Sequence, residues 1–316
     1  MLLEWPLDWL LAVLLSWAIP FELVATWRVT YGVSLLLWGI PIILLLPRLF
    51  AVTDRGGRRR RAIAWTVVYI FAGGTLLDVV FGAVILRFSA VQTYWLPVPA
   101  FGGEGWIPIE ELIFYLTGGL AIVLVYFWSD EFWLHAYNIR QRRPLIPRPG
   151  YLIDLSWSAI TAASALTMLG IAAKRVYYGA GSWLPAYFTF LVLVAFVPAI
   201  VLYRGVKDLV NWRAFSFTML YVLLTAAVWE VTLGLPRRWW GYRSEAMIGK
   251  YVPAWGTPEW PYPIEALLVW IVVSFAVVLL YEAVKAYHYD PRSPRAKLFG
   301  PKNLRDLADN EEYPIA

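Results

Sequence analysis

Five acidic residues stand where they carry a physical cost. Asp78 lies within an apolar stretch and is followed thirty residues later by Pro108-Ile109-Glu110-Glu111; Glu230 lies within another and is followed thirty-three residues later by Pro263-Ile264-Glu265. A carboxylate in apolar surroundings is expensive unless it is paired, protonated or turned toward a polar cavity. Two carboxyl groups brought together in such a place share a proton, because both cannot ionise cheaply. A group of this kind can protonate a weak base at neutral pH.

The Pro-Ile-Glu element also has a plain structural use. Proline is free of penalty at the first helical position, where its missing N–H has no partner anyway, and glutamate in the first turn complements the helix dipole. That accounts for one copy. Two copies, each preceded by an acid near the end of an apolar segment, point to a repeated unit. The flanks agree: each Pro-Ile-Glu follows an aromatic-rich loop, Tyr94-Trp95 to Trp106 in one half and Trp239-Trp240 to Trp260-Pro261-Tyr262 in the other.

The elements that must position these acids are membrane helices. The chain has 316 residues, is 60% hydrophobic and only 16% charged, with a mean hydropathy of +0.59. A soluble domain is typically about 25% charged. Eight apolar spans are expected, at roughly 5–25, 30–50, 62–86, 108–128, 152–173, 184–203, 214–235 and 263–287; each approaches the roughly 20 residues that cross a bilayer. The first pair is interrupted by Pro20 and Glu22.

The expected fold is therefore all-α, a polytopic transmembrane bundle of two parallel pseudo-repeats. Four spans separate matching elements, which gives both copies one orientation. Residues 1–150 form the first repeat, 151–289 the second, and 290–316 a solvated tail rich in Pro and mixed charge. Arginine and lysine cluster in the loop 53–61, at Arg140 to Arg148, at Arg204 to Arg213 and in the tail. These segments share one side if there are eight spans, so both termini are expected in the cytoplasm of a cell membrane.

Several classes are excluded. The net charge of +5 belongs to short loops beside spans, where topology accounts for it, and no nucleic-acid partner is implied. Without cysteine there is no disulfide, thiolate metal site or cysteine nucleophile. His135 and His288 lie beside span ends in different segments, with no obvious partners for a metal. Gly73-Gly74 and Gly118-Gly119 lack the spacing of a dinucleotide fingerprint. No cofactor is expected. Met1 to Asp8 has no basic residue and does not read as a cleaved signal peptide.

At its acids the chain resembles the membrane-integral lycopene cyclases, the family of the two-subunit bacterial enzymes, the fused archaeal ones and the fungal cyclase domains. Members carry an acid in one span, commonly after Trp, and then a Pro-x-Glu-Glu-x-x-Phe-Phe-like segment opening the next. Leu77-Asp78 with Pro108-Ile109-Glu110-Glu111-Leu112-Ile113-Phe114-Tyr115 matches well; Trp229-Glu230 with Pro263-Ile264-Glu265-Ala266-Leu267-Leu268-Val269-Trp270 is a degraded copy. The resemblance covers roughly 62–128 and 214–287. Ala266 replaces the second glutamate, and Val269-Trp270 the paired aromatics.

The resemblance implies a redox-neutral isomerisation: an acid protonates the terminal double bond of lycopene, the tertiary cation closes a ring, and a base removes a proton to leave a β-type end. It implies Asp78, Glu110 and Glu111 as the principal acid/base group, and Glu230 with Glu265 as a weaker counterpart. Trp106, Phe114, Trp229 and Trp240 adjoin the acids and are the candidate carotenoid-binding and cation-stabilising faces. Most of the 19 Trp and 19 Tyr are better explained as interfacial anchors. Three alternatives stay open: a different terpene cyclase, a carotenoid hydratase, and a proton-coupled or small-molecule transporter. For another isoprenoid enzyme, the loop from Arg237-Arg238 to Lys250 could hold a diphosphate.

Overall fold

The computed structural model describes residues 30–51, 57–89, 97–99, 106–134, 151–178 and 184–300. Among them are seven helices long and apolar enough to cross a membrane: α1 (Tyr31–Ala51), α2 (Arg58–Gly82), α3 (Ile109–Trp133), α4 (Trp157–Tyr177), α5 (Ala186–Val206), α6 (Trp212–Gly234) and α7 (Ile264–Tyr289). They correspond to the expected spans from the second onward. The expected first span, 5–25, lies outside the described residues, as do Arg140 to Arg148, His135 and the tail from 301. A short helix, α8 (Pro294–Phe299), follows α7.

The chain is an all-α polytopic bundle, and its exposed faces are rich in Leu, Ile, Val and Trp, as a surface solvated by lipid requires. In α3, 56% of the apolar window is buried against protein and in α7 44%, against 17% in α4. The two helices opened by Pro-Ile-Glu are thus the centre, and α4 is peripheral. Within each half α3 packs on α1 and α2, and α7 on α5 and α6; across the halves α2 packs on α7, α6 on α3, and α3 on α7. Each of these contacts has its counterpart between the matching helices among the described residues.

The match extends to single residues. Ala62 and Thr66 precede Asp78 by the same intervals as Ala214 and Thr218 precede Glu230. All four are fully buried, and each threonine hydroxyl donates to its alanine carbonyl at 2.8 Å. A hydroxyl bonded one turn back needs no other partner, which suits a helix face pressed against a neighbour in an apolar medium.

Both acid-bearing helices end in π-helical turns, Leu77–Gly82 in α2 and Val228–Gly234 in α6. The wider turn re-aims the side chains that follow, and such turns recur at functional sites. Beyond them, β1 (Leu86–Arg87) pairs antiparallel with β4 (Gly241–Tyr242). These strands come after matching acids, and antiparallel pairing of matching segments is what a two-fold axis through the pair would produce. Hairpins then lead into the central helices: β2 (Pro97–Pro99) with β3 (Trp106–Pro108), and β5 (Tyr251–Gly256) with β6 (Pro261–Pro263).

One detail differs from expectation. Pro108 and Pro263 are the N-caps, at ψ 140° and 152°, and the helices begin one residue later at Ile109 and Ile264. Each proline closes its strand in extended backbone, with φ at −66° and −73°, values its ring already imposes. Glu110 and Glu265 still fall in the first turn.

Candidate acid site between the repeats

The π turn of α2 buries Asp78 completely. The phenol of Tyr115, on the facing helix α3, is set against it, while neither Asp78 oxygen makes a hydrogen bond of good geometry. That closeness depends on Gly74, where a β-carbon would run into the Tyr115 ring. Glu111, 5% exposed, is a carboxyl close enough to act on Asp78 and accepts a 2.6 Å hydrogen bond from the Tyr31 hydroxyl of α1.

The π turn of α6 does the same for Glu230, 4% exposed. Its Oε1 accepts from the Trp270 indole N–H at 3.0 Å and its Oε2 from the Tyr242 hydroxyl at 3.2 Å, with the Tyr262 hydroxyl also beside it. Tyr242 and Tyr262 lie in β4 and β6, outside the spans. Burial pushes both phenols well above their usual range, and the Glu230 carboxyl adds to the effect. They therefore remain O–H donors at any working pH.

Glu111 and Glu230 meet in one place. Both line a single cavity of about 420 Å³ whose wall draws on α2, α3, α5, α6 and α7. Phe114, Trp229 and Trp240, three of the four aromatic residues singled out from the sequence, line it too. Their rings form a continuous surface: Phe114 to Trp229 and Trp229 to Trp240 are both 4.6 Å between centroids. Trp229 is held by its indole N–H to Ser34 Oγ at 2.8 Å. The side chain of Trp106 lies outside the described residues.

The remaining expected acids stand elsewhere. Asp78 and Glu110 are fully buried but are not part of the cavity wall; Asp78 reaches it through Tyr115, which is. Glu265 is also fully buried and off the wall. It accepts from the backbone N–H of Ile248 and lies near Lys174, whose ammonium group binds the carbonyls of Leu184 and Glu245. This is the chemistry of a loop anchor. Glu111 of one half and Glu230 of the other thus share one cavity wall.

Several contributors were not singled out from sequence. Tyr31, Tyr115, Tyr187, Tyr242 and Trp270 all touch the acids or line the cavity. Tyr115 and Trp270 had a signal, since both stand five residues after the glutamate of Pro-Ile-Glu. Tyr31 and Tyr187 open α1 and α5 at similar places but have no acid nearby in the sequence.

The loop considered for a diphosphate is occupied by its own contacts. Arg238 pairs with Glu259 at 2.6 Å, Arg243 donates to the Leu86 carbonyl at 3.1 Å, and Lys250 lies 5.6 Å from the Tyr177 ring centroid. Among the described residues no group of three or more His, Asp or Glu side chains is arranged to hold a metal. Against family models, curated proteins and solved structures alike, the chain finds no significant match.

Proposed function

We propose that this chain is a membrane isoprenoid cyclase that closes lycopene-type end groups by proton transfer between intramembrane carboxyls. The observation that carries the reading is the joint placement of Glu111 and Glu230 on an apolar, aromatic-walled cavity inside the bundle. Acid-catalysed cyclisation needs a proton donor, a base on the far side of the reacting carbons, and a dry pocket whose ring faces steady a tertiary cation.

The geometry supports the following division of roles. Glu111, backed by Asp78 and Tyr115, delivers the proton to the terminal double bond. The cation at the resulting tertiary carbon is attacked by the neighbouring double bond, closing the ring and moving the charge into it. Glu230, with an indole N–H and a phenol O–H pointing at it, takes the proton lost from the ring carbon. One proton enters and one leaves, so no redox cofactor is called on. The Phe114, Trp229 and Trp240 faces lie along the path of the cation.

With one centre per chain, the two ends of a long carotenoid react in separate visits. The basic loops favour a cell-membrane orientation with both termini in the cytoplasm.

The test is expression in a host that accumulates lycopene, followed by pigment analysis, alongside Glu111→Gln, Glu230→Gln and Asp78→Asn. The expected result is cyclic carotenoid from the parent chain and a loss of at least about a hundredfold for the first two variants. Unchanged lycopene, with the protein shown folded in the membrane, would falsify the reading. Proton or solute flux without a new product would assign the same acids to transport, and a hydroxylated product would assign them to hydration.

A further inference from the structure

The cavity is long, and its acids occupy only one end. Its wall follows α7 from Val269 to Leu280, about 16 Å of helical rise. On the other helices it descends from Glu111 to Ile122, from Leu77 to Tyr69 and from Tyr187 to Leu202. Below the level of Trp270 the wall is made almost wholly of apolar side chains and glycine. A ring-closing reaction needs space for one end group, and this space continues well past it.

The lower part exists because of the first repeat. Gly73, Gly74, Gly118 and Gly119 line it, where matching positions of the second repeat carry Thr225, Ala226, Val273 and Ser274. A β-carbon at Gly118 would come within 2.9 Å of Phe114, and one at Gly119 within 3.0 Å of Ile70. These two glycines let rings and helices close up around the space. Gly73 differs: a β-carbon there would meet nothing within 4 Å, so the space beside it is open.

The cavity also reaches the outside of the bundle. Tyr69 on α2 and Val194 on α5 are both part of its wall and are 53% and 46% exposed. The seam between these helices is bridged nearer the acids by Phe81 and Phe190, with ring centroids 5.8 Å apart. Among the described residues the opening therefore lies on the outer face of the bundle, below that aromatic contact.

We propose that the lower cavity is the binding groove for the extended tail of a linear isoprenoid, which passes in from the bilayer between α2 and α5, and that the space at Gly73 sets the length of chain accepted. The chemistry at the acid end rests on the cyclase reading; the groove does not. An extended apolar chain already dissolved in the bilayer gains shape-matched contact here without leaving an apolar medium. A headgroup-bearing lipid would have to bury its polar end against the Phe114 to Trp240 surface.

The experiment uses the full chain in membranes, wild type and Gly73→Leu, each offered lycopene and a shorter acyclic polyene with the same end group. Binding is read by quenching of tryptophan fluorescence and turnover by pigment analysis. For Gly73→Leu the ratio of long-chain to short-chain binding falls by about tenfold or more, the scale of a small-to-large change in a packed space. Val194→Trp, at an exposed site on the mouth, slows uptake of both polyenes. An unchanged ratio in Gly73→Leu overturns the groove, as does a wild-type chain that binds neither polyene. Binding that obeys the expected ratio without any turnover upholds the groove and sinks the cyclase reading.

Discussion

Tyr115 and Trp270 occupy matched positions in the two halves, and each is set against the span acid of its own half: the phenol beside Asp78, the indole N–H 3.0 Å from Glu230. The match is in place and not in chemistry. A phenol can pass a proton along, whereas an indole N–H only donates a hydrogen bond. On the proposed cyclase reading, the half with two more acids, Glu110 and Glu111, is also the half with a relay, which fits it to give the proton while the other receives it.

Replacing each partner separates these roles. Tyr115→Phe removes a proton carrier between Asp78 and the cavity, and turnover is expected to fall by roughly 10²-fold or more, the lower end of general acid–base contributions. Trp270→Phe removes one hydrogen bond to the Glu230 carboxyl, about 0.5–1.5 kcal/mol, or roughly twofold to tenfold in kcat. Initial rates on lycopene-loaded membranes decide it; equal losses in the two variants would remove the distinction between relay and orienting contact.

Glu265 offers the opposite expectation. Its carboxyl receives the Ile248 N–H and faces the Lys174 region, off the cavity wall. Glu265→Ala strands a buried donor, so it should cost about 1–3 kcal/mol of stability. Thermal unfolding in detergent measures that cost, and pigment yield per folded molecule should stay near wild type. A variant with normal unfolding and no cyclic product would return Glu265 to the acid group.

The bundle was legible in the sequence because hydropathy and length report directly on the bilayer: seven spans stand within a few residues of where the apolar runs put them. Asp78, Glu111 and Glu230 were legible because a carboxylate in a span needs a reason. Glu110 and Glu265 resembled them in motif, but neighbouring residues on a helix point about 100° apart, and the turn that aims Glu111 into the cavity aims Glu110 out of its wall. At the matching site the inward position is Ala266, so the second half adds only Glu230 from its span. Tyr31 and Tyr242 were hidden for another reason. Tyr31 reaches Glu111 from a helix eighty residues away, and Tyr242, only twelve residues from Glu230, reaches it from a strand beyond the π turn, so only the folded chain sets each against its acid.

Gly74 tests how closely the relay is held. A β-carbon there would overlap the Tyr115 ring, and the matching residue in the other half is Ala226. In Gly74→Ala the ring must move away from Asp78. Helix propensity gains about 1 kcal/mol from the change, which offsets part of the packing strain. The expected variant is thus folded, with turnover reduced toward the level of Tyr115→Phe and no further loss when the two changes are combined. Additive losses in the double variant would show that Gly74 and Tyr115 act separately.

The far end of the bundle carries a second polar group whose purpose is stability. Glu282 is fully buried on α7, where it accepts from the Tyr126 hydroxyl at 2.9 Å and pairs with Lys285 at 2.6 Å. Tyr126 in turn accepts from the Asn211 N–H at 3.0 Å, and the Asn211 amide donates to Asp130 at 2.8 Å. This chain of contacts ties α3, α6 and α7 together where the rings of the matched residues Tyr126 and Tyr281 meet at 5.9 Å. Glu282→Ala takes the buried acceptor from the Tyr126 phenol and the ion-pair partner from the partly exposed Lys285, a loss of about 1–3 kcal/mol, whereas Glu282→Gln keeps an acceptor for the phenol and should cost less. Seventeen residues separate Glu282 from Glu265 on one helix, about 26 Å of rise, so conversion per folded molecule should be unchanged in both variants. Unfolding midpoints and pigment yields measured on the same preparations check the two statements together, and a drop in specific conversion without a drop in stability would mean that this end of the bundle feeds the acid site.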